Sequence, residues 1–402
     1  AMKIDPSQWV EAAPYLDDRP AAPPIPEHHL YPVRAYNPLQ TLRPRTYSAT
    51  MTPSDFGYHI GVATGGTDIA QLHTFNLSVG TDTLDPELQF AAGYGYSGFP
   101  VDLSIGISRT ITPQAGPYAL GSNYAPLYTQ ENTGISTSIG YSLPGAFDGQ
   151  SVSLSYSATR VANDLPVVVN KLDPYETPRI PGSGLVSDLH LGWGYSNAQS
   201  FLWGVAGEKG FSLSANIDAT HPALGSDYTG YGATVDFTSY HVMPWLRHHS
   251  LALHAGAGTG GGSFPGRGPF YIGGFVDLPV YDTVRNILIQ GGVTLRGYAP
   301  VVEAGNNYAL FNGEYRFPIM NIDRGYSTLP IFIQRINGAV FCDYGSAFND
   351  ASTAEFKTGV GGELWFDTSL AYVLNFTFRL GYAKGLASGG LDKFYFVAAV
   401  PF

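Results

Sequence analysis

Apolar and polar residues alternate over long stretches of this 402-residue chain. The clearest stretch has Leu374, Phe376, Phe378, Leu380 and Tyr382 interleaved with Asn375, Thr377, Arg379 and Gly381. The same pattern recurs from about residue 55, for example over 101–108, 152–158 and 189–195. Period-two alternation gives a β-strand one apolar face and one polar face. The sequence therefore predicts an all-β protein.

The composition indicates where the apolar faces are hidden. Only 13% of the residues are charged, whereas soluble domains average about 25%. The polar positions of the alternating runs are mostly Ser, Gly, Thr and Asn, and the apolar positions are rich in Tyr and Phe. No stretch approaches the roughly 20 apolar residues of a membrane-spanning helix, and a closed barrel is the other structure that pairs every backbone polar group in lipid. A transmembrane antiparallel β-barrel is therefore favoured over a soluble β-sandwich.

The alternating runs also predict the organisation of the chain. They number about 16, with the first strand at 55–66, others at 200–218 and 287–297, and the last at 391–402. An even number of strands places both ends of a barrel on the periplasmic side. Prolines crowd residues 1–44, and proline removes donors from a strand ladder. We expect 1–44 to be a Pro-rich linker or a plug in the lumen, and 45–402 to form the barrel.

The last predicted strand ends on an aromatic residue at the carboxyl terminus. Counting back from Phe402, one face carries Val400, Ala398, Phe396 and Phe394. An exposed apolar strand at the end of a soluble protein would be an aggregation hazard. The pattern resembles the C-terminal recognition strand of bacterial outer-membrane proteins. It implies a multi-pass protein of the bacterial outer membrane, surrounded by outer-membrane lipid.

Three motifs in the last third resemble those of one superfamily. They are TLRGY at 294–298, NGEYRFP at 312–318 and FCDYGS at 341–346. Their order and spacing resemble the BamA-type superfamily of outer-membrane assembly and translocation barrels, which have 16 strands. In that superfamily the first motif, here Leu295, Arg296, Gly297 and Tyr298, lies at the tip of a loop that folds into the lumen. The resemblance implies such a lumenal loop here.

Strand parity predicts partners for the arginine of this motif. On the strand after the loop, Glu314 and Arg316 share the polar face, and Asp343 lies on the polar face of the next strand. An arginine in a polar lumen pairs well with carboxylates, because its planar fork matches them. We expect Arg296 to pair with Asp343 or Glu314 and to pin the loop, while Gly297 allows a tight turn.

The sequence differs from the superfamily pattern on the N-terminal side of the predicted barrel. The periplasmic POTRA domains of the superfamily do not appear, and residues 36–44 resemble the junction in a branch whose barrels follow a TolB-like propeller. The resemblance implies insertion or translocation of proteins at the outer membrane, with unfolded barrel clients and periplasmic or lipoprotein partners. One alternative is a barrel that only anchors a periplasmic propeller or a partner complex. A diffusive pore is the least favoured, since a lumenal loop obstructs flow.

Insertion through the barrel wall needs a weak seam between the first and last strands. The first predicted strand contains glycines near 56–61, and Pro401 removes one donor from the last. Few paired hydrogen bonds would allow these strands to part and to present their edges to a client strand.

No pattern of an enzyme or of a cofactor site is found. Residues 95–98 are too short for a G-x-S-x-G nucleophile elbow. The pairs at 28–29 and 248–249 lack the further ligands of a histidine metal motif, and the glycines at 260–262 lack the lysine of a phosphate-binding loop. The net charge of -11 disfavours a nucleic-acid partner. We therefore predict no catalytic residues, no metal and no cofactor.

Overall fold

A computed structural model describes residues 35–54, 57–114, 128–164, 182–201, 203–263, 268–275, 294–325, 327, 329–370 and 374–399. The chain divides into two compact units, Ala1–Asn37 and Pro38–Phe402. Most of the predicted segment 1–44 lies outside the described residues. Within the described residues, no helix is long and apolar enough to cross a membrane.

Within the described residues, sixteen strands of at least eight residues form one antiparallel sheet in which successive long strands pair. They are β1 Thr46–Ser54, β2 Gly57–Thr67, β3 His73–Asp82, β4 Gln89–Tyr96, β5 Asp102–Gln114, β6 Tyr128–Pro144, β7 Gly149–Asp164, β8 Gly184–Ser196, β10 Gly207–Thr220, β11 Gly230–Val242, β12 Ser250–Gly262, β15 Asn307–Gly325, β16 Ile331–Phe348, β17 Lys357–Leu370, β18 Leu374–Gly385 and β19 Asp392–Ala399. The two-residue β9 Gln199–Ser200 adds to β10, while β13 Phe270–Ile272 and β14 Glu303–Gly305 pair with each other.

The predicted number of strands agrees with the sheet, but two of the assignments behind it were wrong. The first strand is β1, in a region where no strand was predicted. The run at 55–66, predicted as the first strand, corresponds to β2. β1 was missed because its sequence, TYSATMTPS, is mostly hydroxylated and has a weak apolar face. Of the predicted strand 287–297, residues 287–293 lie outside the described residues, and residues 294–297 form an isolated bridge and a turn.

The two faces of the sheet differ in burial. On β15 and β16, Glu314, Phe341 and Asp343 are buried, whereas Phe311 and Val340 are exposed. We call the first face, on which the connection between β12 and β15 packs, the inner face, and the other the outer face. Glu314 and Asp343 therefore both lie on the inner face.

The connections at the two ends of the sheet differ in length. One end holds 68–72, 97–101, 145–148, 197–206, 243–249 and 326–330. We call it the short-turn end, and β1 begins and β19 ends there. The opposite, long-loop end holds the connections 115–127, 165–183 and 263–306, so the loop with the TLRGY motif starts from the long-loop end.

Candidate functional site

The connection between β12 and β15 returns onto the inner face. Phe270 pairs with Gly305 and Ile272 with Glu303, so that β13 and β14 bring the two described parts of the connection together. Gly273 forms a bridge with Thr294, at the start of the TLRGY motif. We call residues 268–275 and 294–305 the inner segment.

Apolar side chains hold the inner segment against the sheet. Ile272, Leu295 and Tyr298 have no exposed surface, and they pack with Tyr308 and Leu310 of β15. Complete burial of such a side chain stabilises a fold by roughly 1.5–3 kcal/mol. The motif is therefore docked by packing as well as by charge.

Arg296 is 3% exposed and lies among three carboxylates. Its Nε and Nη2 donate to Asp343 Oδ2 and Oδ1 at 2.7 and 2.6 Å, and its backbone N–H donates to Oδ2 at 3.0 Å. Its Nη1 donates to Glu314 Oε1 at 2.7 Å and to Glu363 Oε1 at 3.0 Å. Its Cζ lies 3.5 Å from the ring centroid of Phe341. Arginine stays protonated in proteins, so this buried guanidinium depends on the three acids.

Two further arginines complete the cluster. Arg316 donates to Glu314 Oε2 at 2.9 and 2.7 Å. Arg379 donates to Glu363 Oε2 at 2.8 and 2.5 Å. We call Arg296, Arg316, Arg379, Glu314, Asp343 and Glu363 the arginine network. Its three positive and three negative charges balance, which is the condition under which buried charges are tolerated.

The sequence predicted part of this network. Arg296 contacts both of the carboxylates that parity indicated, Glu314 and Asp343, and Arg316 acts one step away by binding Glu314. Glu363 and Arg379 were missed. Strand parity places both of these charged residues on the inner face, and this was the available signal.

Glu363 has two more hydrogen-bond donors on the inner face. Trp365 Nε1 donates to its Oε2 at 2.6 Å, and the hydroxyl of Tyr395 in β19 donates to its Oε1. Arg316 and Arg379 also share one aromatic partner. Their guanidinium carbons lie 5.4 and 5.0 Å from the centroid of the Trp365 ring. The network therefore extends from the inner segment through β15, β16 and β17 to β18 and β19.

Glycines let the motif approach the sheet backbone. Gly297 has φ +87°, and a Cβ placed on it would lie 2.6 Å from the backbone N of Gly385. A Cβ on Gly359 of β17 would lie 1.9 Å from the carbonyl oxygen of Arg296. The Gly297 carbonyl accepts a hydrogen bond from the N–H of Leu391 at 2.8 Å. The motif thus lies directly on the backbones of β17 and β18.

We predict that Tyr298→Phe destabilises the protein by roughly 1–3 kcal/mol, because the fully buried Tyr298 side chain loses two hydrogen bonds, each worth about 0.5–1.5 kcal/mol. The Tyr298 hydroxyl donates to the Thr358 carbonyl at 2.8 Å and accepts from the Ala387 N–H at 3.0 Å. Thermal unfolding in detergent measures the loss. Tyr344→Phe is the matched control, since Tyr344 is 45% exposed on the outer face. Equal melting temperatures of the two variants would contradict the prediction.

A second segment reaches the inner face from the short-turn end. Arg335 Nη1 donates to the carbonyl of Gly204 at 2.7 Å, and Arg335 Nε donates to Asp367 at 2.9 Å. Val205 is buried against Ala339 and Trp365. β16 and β17 are not sheet neighbours of β8 or β10. The connection between β8 and β10, which holds Gly204 and Val205, therefore crosses the interior to reach them. It corrects the predicted strand at 200–218, since β10 starts only at Gly207.

The C-terminal strand is described as far as Ala399. β19 pairs with β18, with Phe394 opposite Tyr382 and Phe396 opposite Leu380. Phe394 is 81% exposed, as expected for an outer-face residue. Val400 and Phe402 lie outside the described residues, and the recognition role of this strand stays a prediction.

Solved structures similar to this chain include one BamA and two CdiB proteins. BamA from Haemophilus ducreyi lacking POTRA domains 1–3 is similar in structure, with a TM-score of 0.52, 17% identity, and coverage of 88% of this chain and 69% of that chain. CdiB from Escherichia coli has a TM-score of 0.48 at 12% identity, covering 90% of this chain and 68% of that one. CdiB from Acinetobacter baumannii has a TM-score of 0.42 at 15% identity, covering 88% and 57%. No curated protein sequence matches.

The fold predicted from the sequence, a transmembrane antiparallel β-barrel with a loop in its lumen, is confirmed by the sheet and by the likeness to the BamA barrel. The inner face is the lumenal wall and the outer face is the lipid-facing wall. The model of the Omp85 superfamily domain matches residues 70–397. Because this match covers most of the chain, the protein belongs to the Omp85 superfamily.

Proposed function

We propose that this barrel inserts or translocates proteins at the bacterial outer membrane. The observation that carries the proposal is the arginine network, which fastens the TLRGY motif to the lumenal wall next to the end of the barrel sheet. It ties the inner segment to β15, β16 and β17 through Arg296, and to β18 and β19 through Arg379 and Tyr395. A wall held in this way is a rigid partner for a movable strand.

The first strand is the candidate for that movable partner. The described side chains from Thr46 to Thr52 are all exposed, and β1 pairs with β2 over nine residues. A strand that buries so little relies mainly on its ladder hydrogen bonds. We propose that a lateral seam lies between β1 and β19, with β1 as the movable side. This replaces the seam at 56–61, because those residues belong to β2, apart from Phe56, which lies outside the described residues.

The alternative is a barrel that anchors a periplasmic propeller or a partner complex without transport. Segments enter the lumen from both ends, and this favours the anchoring barrel over a diffusive pore. Trp365 contacts Glu363 of the arginine network on one side and packs with Val205 of the short-turn end on the other. A segment entering from each end leaves little room for free diffusion.

The folding of a client barrel separates insertion from anchoring. The purified protein is placed in proteoliposomes, and the folding of an unfolded test barrel is timed against empty liposomes. We expect acceleration that Arg296→Ala abolishes, because the wall beside the seam loses its brace. Arg160→Ala removes an exposed arginine of β7, and it should leave the acceleration unchanged. No acceleration by the unmodified protein would contradict insertion by the barrel and favour the anchor.

A further inference from the structure

Asn312 of β15 holds the first residue of the TLRGY motif. Its side-chain Nδ2 donates to the backbone carbonyl of Thr294 at 3.0 Å and to Asp343 Oδ1 at 2.8 Å. The same Asp343 oxygen accepts a hydrogen bond from Arg296 Nη2 at 2.6 Å. One amide group therefore contacts both the start of the motif and the carboxylate that binds its arginine.

These two bonds fix the orientation of the Asn312 amide. A carbonyl and a carboxylate only accept hydrogen bonds, so the amide must turn its donor, Nδ2, towards Thr294 and Asp343. Its acceptor, Oδ1, then faces β12, where His254 lies directly opposite Asn312 in the sheet. The distance between His254 Nδ1 and Asn312 Oδ1 is 3.0 Å. His254 must therefore donate from Nδ1 to complete the bonds of the amide.

His254 has an acceptor at its other ring nitrogen as well. Nε2 lies 3.3 Å from Oδ1 of Asp236 on β11. A neutral imidazole carries one N–H group, and only the imidazolium form carries two. The bonds to Asn312 and to Asp236 therefore exist together only when His254 is protonated.

The charged groups that face His254 come from β11, β15, β18 and the inner segment. Asp236 contacts the ring, and a lumenal cavity of about 210 Å³ separates the ring from the arginine network. The charged residues that line this cavity with His254 are Arg296, Glu314, Arg316 and Arg379. Because the network balances its own charges, Asp236 is the carboxylate that offsets the charge of His254. The His254 side chain is 33% exposed, so lumenal water can exchange its proton.

We propose that Asp236, His254 and Asn312 form a second, proton-dependent fastening of the TLRGY motif. We call these three residues the histidine chain. When His254 gives a proton to lumenal water, the remaining N–H stays with Asp236, because hydrogen bonds to charged acceptors are stronger. Nδ1 then turns a lone pair towards Asn312 Oδ1, and the amide is no longer held towards Thr294 and Asp343. The motif is thus held more tightly at acidic than at alkaline pH, whether or not the barrel inserts proteins.

His190 offers a matched control on the inner face of β8. Its Nδ1 lies 2.6 Å from Oδ1 of Asp218, and these two side chains are 35% and 34% exposed, much like His254 and Asp236 at 33% and 40%. Within the part of the chain that the structure describes, Nδ1 is the only ring nitrogen of His190 with a hydrogen-bond partner. A neutral imidazole satisfies this pair, and the pair does not contact the motif.

The pH dependence of hydrogen exchange tests the fastening. The protection factor of a peptide covering residues 294–298, which corrects for the intrinsic effect of pH on exchange, is measured in nanodiscs from about pH 6 to about pH 9. In the unmodified protein we expect it to fall roughly tenfold over this range, as two hydrogen bonds to Asn312 weaken. His254→Leu should show the lower value at every pH, and His190→Leu should follow the unmodified protein. Heat-modifiable migration on gels confirms that both variants are folded.

Solid-state ¹⁵N NMR of histidine-labelled protein in liposomes reports the proton itself. At about pH 7 an unconstrained histidine is mostly neutral. The signals that His254→Leu removes should nevertheless have the chemical shifts of an imidazolium at both nitrogens. Neutral-imidazole shifts for these signals would overturn the proposal. It would also fail if protection of the unmodified protein did not change with pH, or if His190→Leu abolished the change as His254→Leu does.

Discussion

Replacing Arg296 by alanine is expected to lower the free energy of unfolding by roughly 3–5 kcal/mol, the usual loss when one member of a buried ion pair is removed. The variant leaves Glu314, Asp343 and Glu363 facing only Arg316 and Arg379. Asp343 loses both side-chain donors that Arg296 supplies, and Asp343 has no exposed surface through which water could replace them. Urea-dependent unfolding from lipid vesicles measures the change.

Two further variants separate charge from geometry at this position. Arg296→Lys keeps the charge but cannot bind Asp343 through two nitrogens, so an intermediate loss is expected. Arg296→Ala combined with Asp343→Asn restores charge balance between the two remaining arginines, Glu314 and Glu363. This double variant should recover part of the loss, as coupled sites do. Unfolding of Arg296→Ala at the same urea concentration as the unmodified protein would contradict the buried-charge account.

Replacing Gly359 by alanine should displace the TLRGY motif without changing any charge. A Cβ at this position would lie 1.9 Å from the Arg296 carbonyl oxygen, far inside van der Waals contact. Either β17 or the motif must shift, and overpacking of this kind typically costs about 1–3 kcal/mol. A shift of the motif also lengthens the hydrogen bonds of the Arg296 side chain. The loss is measured by the same urea titration.

Gly362→Ala provides the matched control on the same strand. A Cβ on Gly362 would lie 3.4 Å from the Ala339 carbonyl oxygen and 3.9 Å from Val340. It faces away from the motif, and these distances are ordinary contacts. Equal effects of the two alanines would show that glycine at position 359 serves the strand rather than the motif.

The parts of the structure that depend on strand periodicity were predictable from the sequence. Alternation has a period of two, so that it fixes which residues share a face once a strand is recognised. Glu314 and Asp343 were therefore identified as partners of Arg296 without coordinates. The resemblance to the BamA-type superfamily supplied the loop, which alternation alone does not reveal.

The parts that depend on segments outside regular strands were not predictable in this way. Residues 294–297 continue an alternating run, but they form a turn because Arg296 and Tyr298 bind side chains and carbonyls of β15, β16 and β17 instead of a ladder. Gly204 and Val205 were predicted to lie near the start of a strand. In the structure, Gly204 accepts a hydrogen bond from Arg335, and Val205 packs against Trp365, more than 100 residues later in the chain. Such contacts are set by the closing of the sheet, which brings distant strands together.

Glu363 shows why the network was larger than predicted. It receives donors from the inner segment, β17, β18 and β19 at once. Parity places it on the lumenal face, but its height relative to Arg296 depends on the register of two successive strand pairs. If the register of these strand pairs were shifted by two residues, another side chain of the same face would lie beside Arg296. The position of the arginine network therefore needed the structure.

Hydrogen exchange of the TLRGY motif tests most directly whether the arginine network holds the loop in the lumen. The Leu295 N–H donates to the Gly273 carbonyl at 2.7 Å, and the Arg296 N–H donates to Asp343 at 3.0 Å. In nanodiscs, a peptide covering residues 294–298 should exchange slowly in the unmodified protein and rapidly in Arg296→Ala, while the strand peptides of β5 to β7 stay protected in both. Rapid exchange of this peptide in the unmodified protein, or equal protection in Arg296→Ala, would contradict the account.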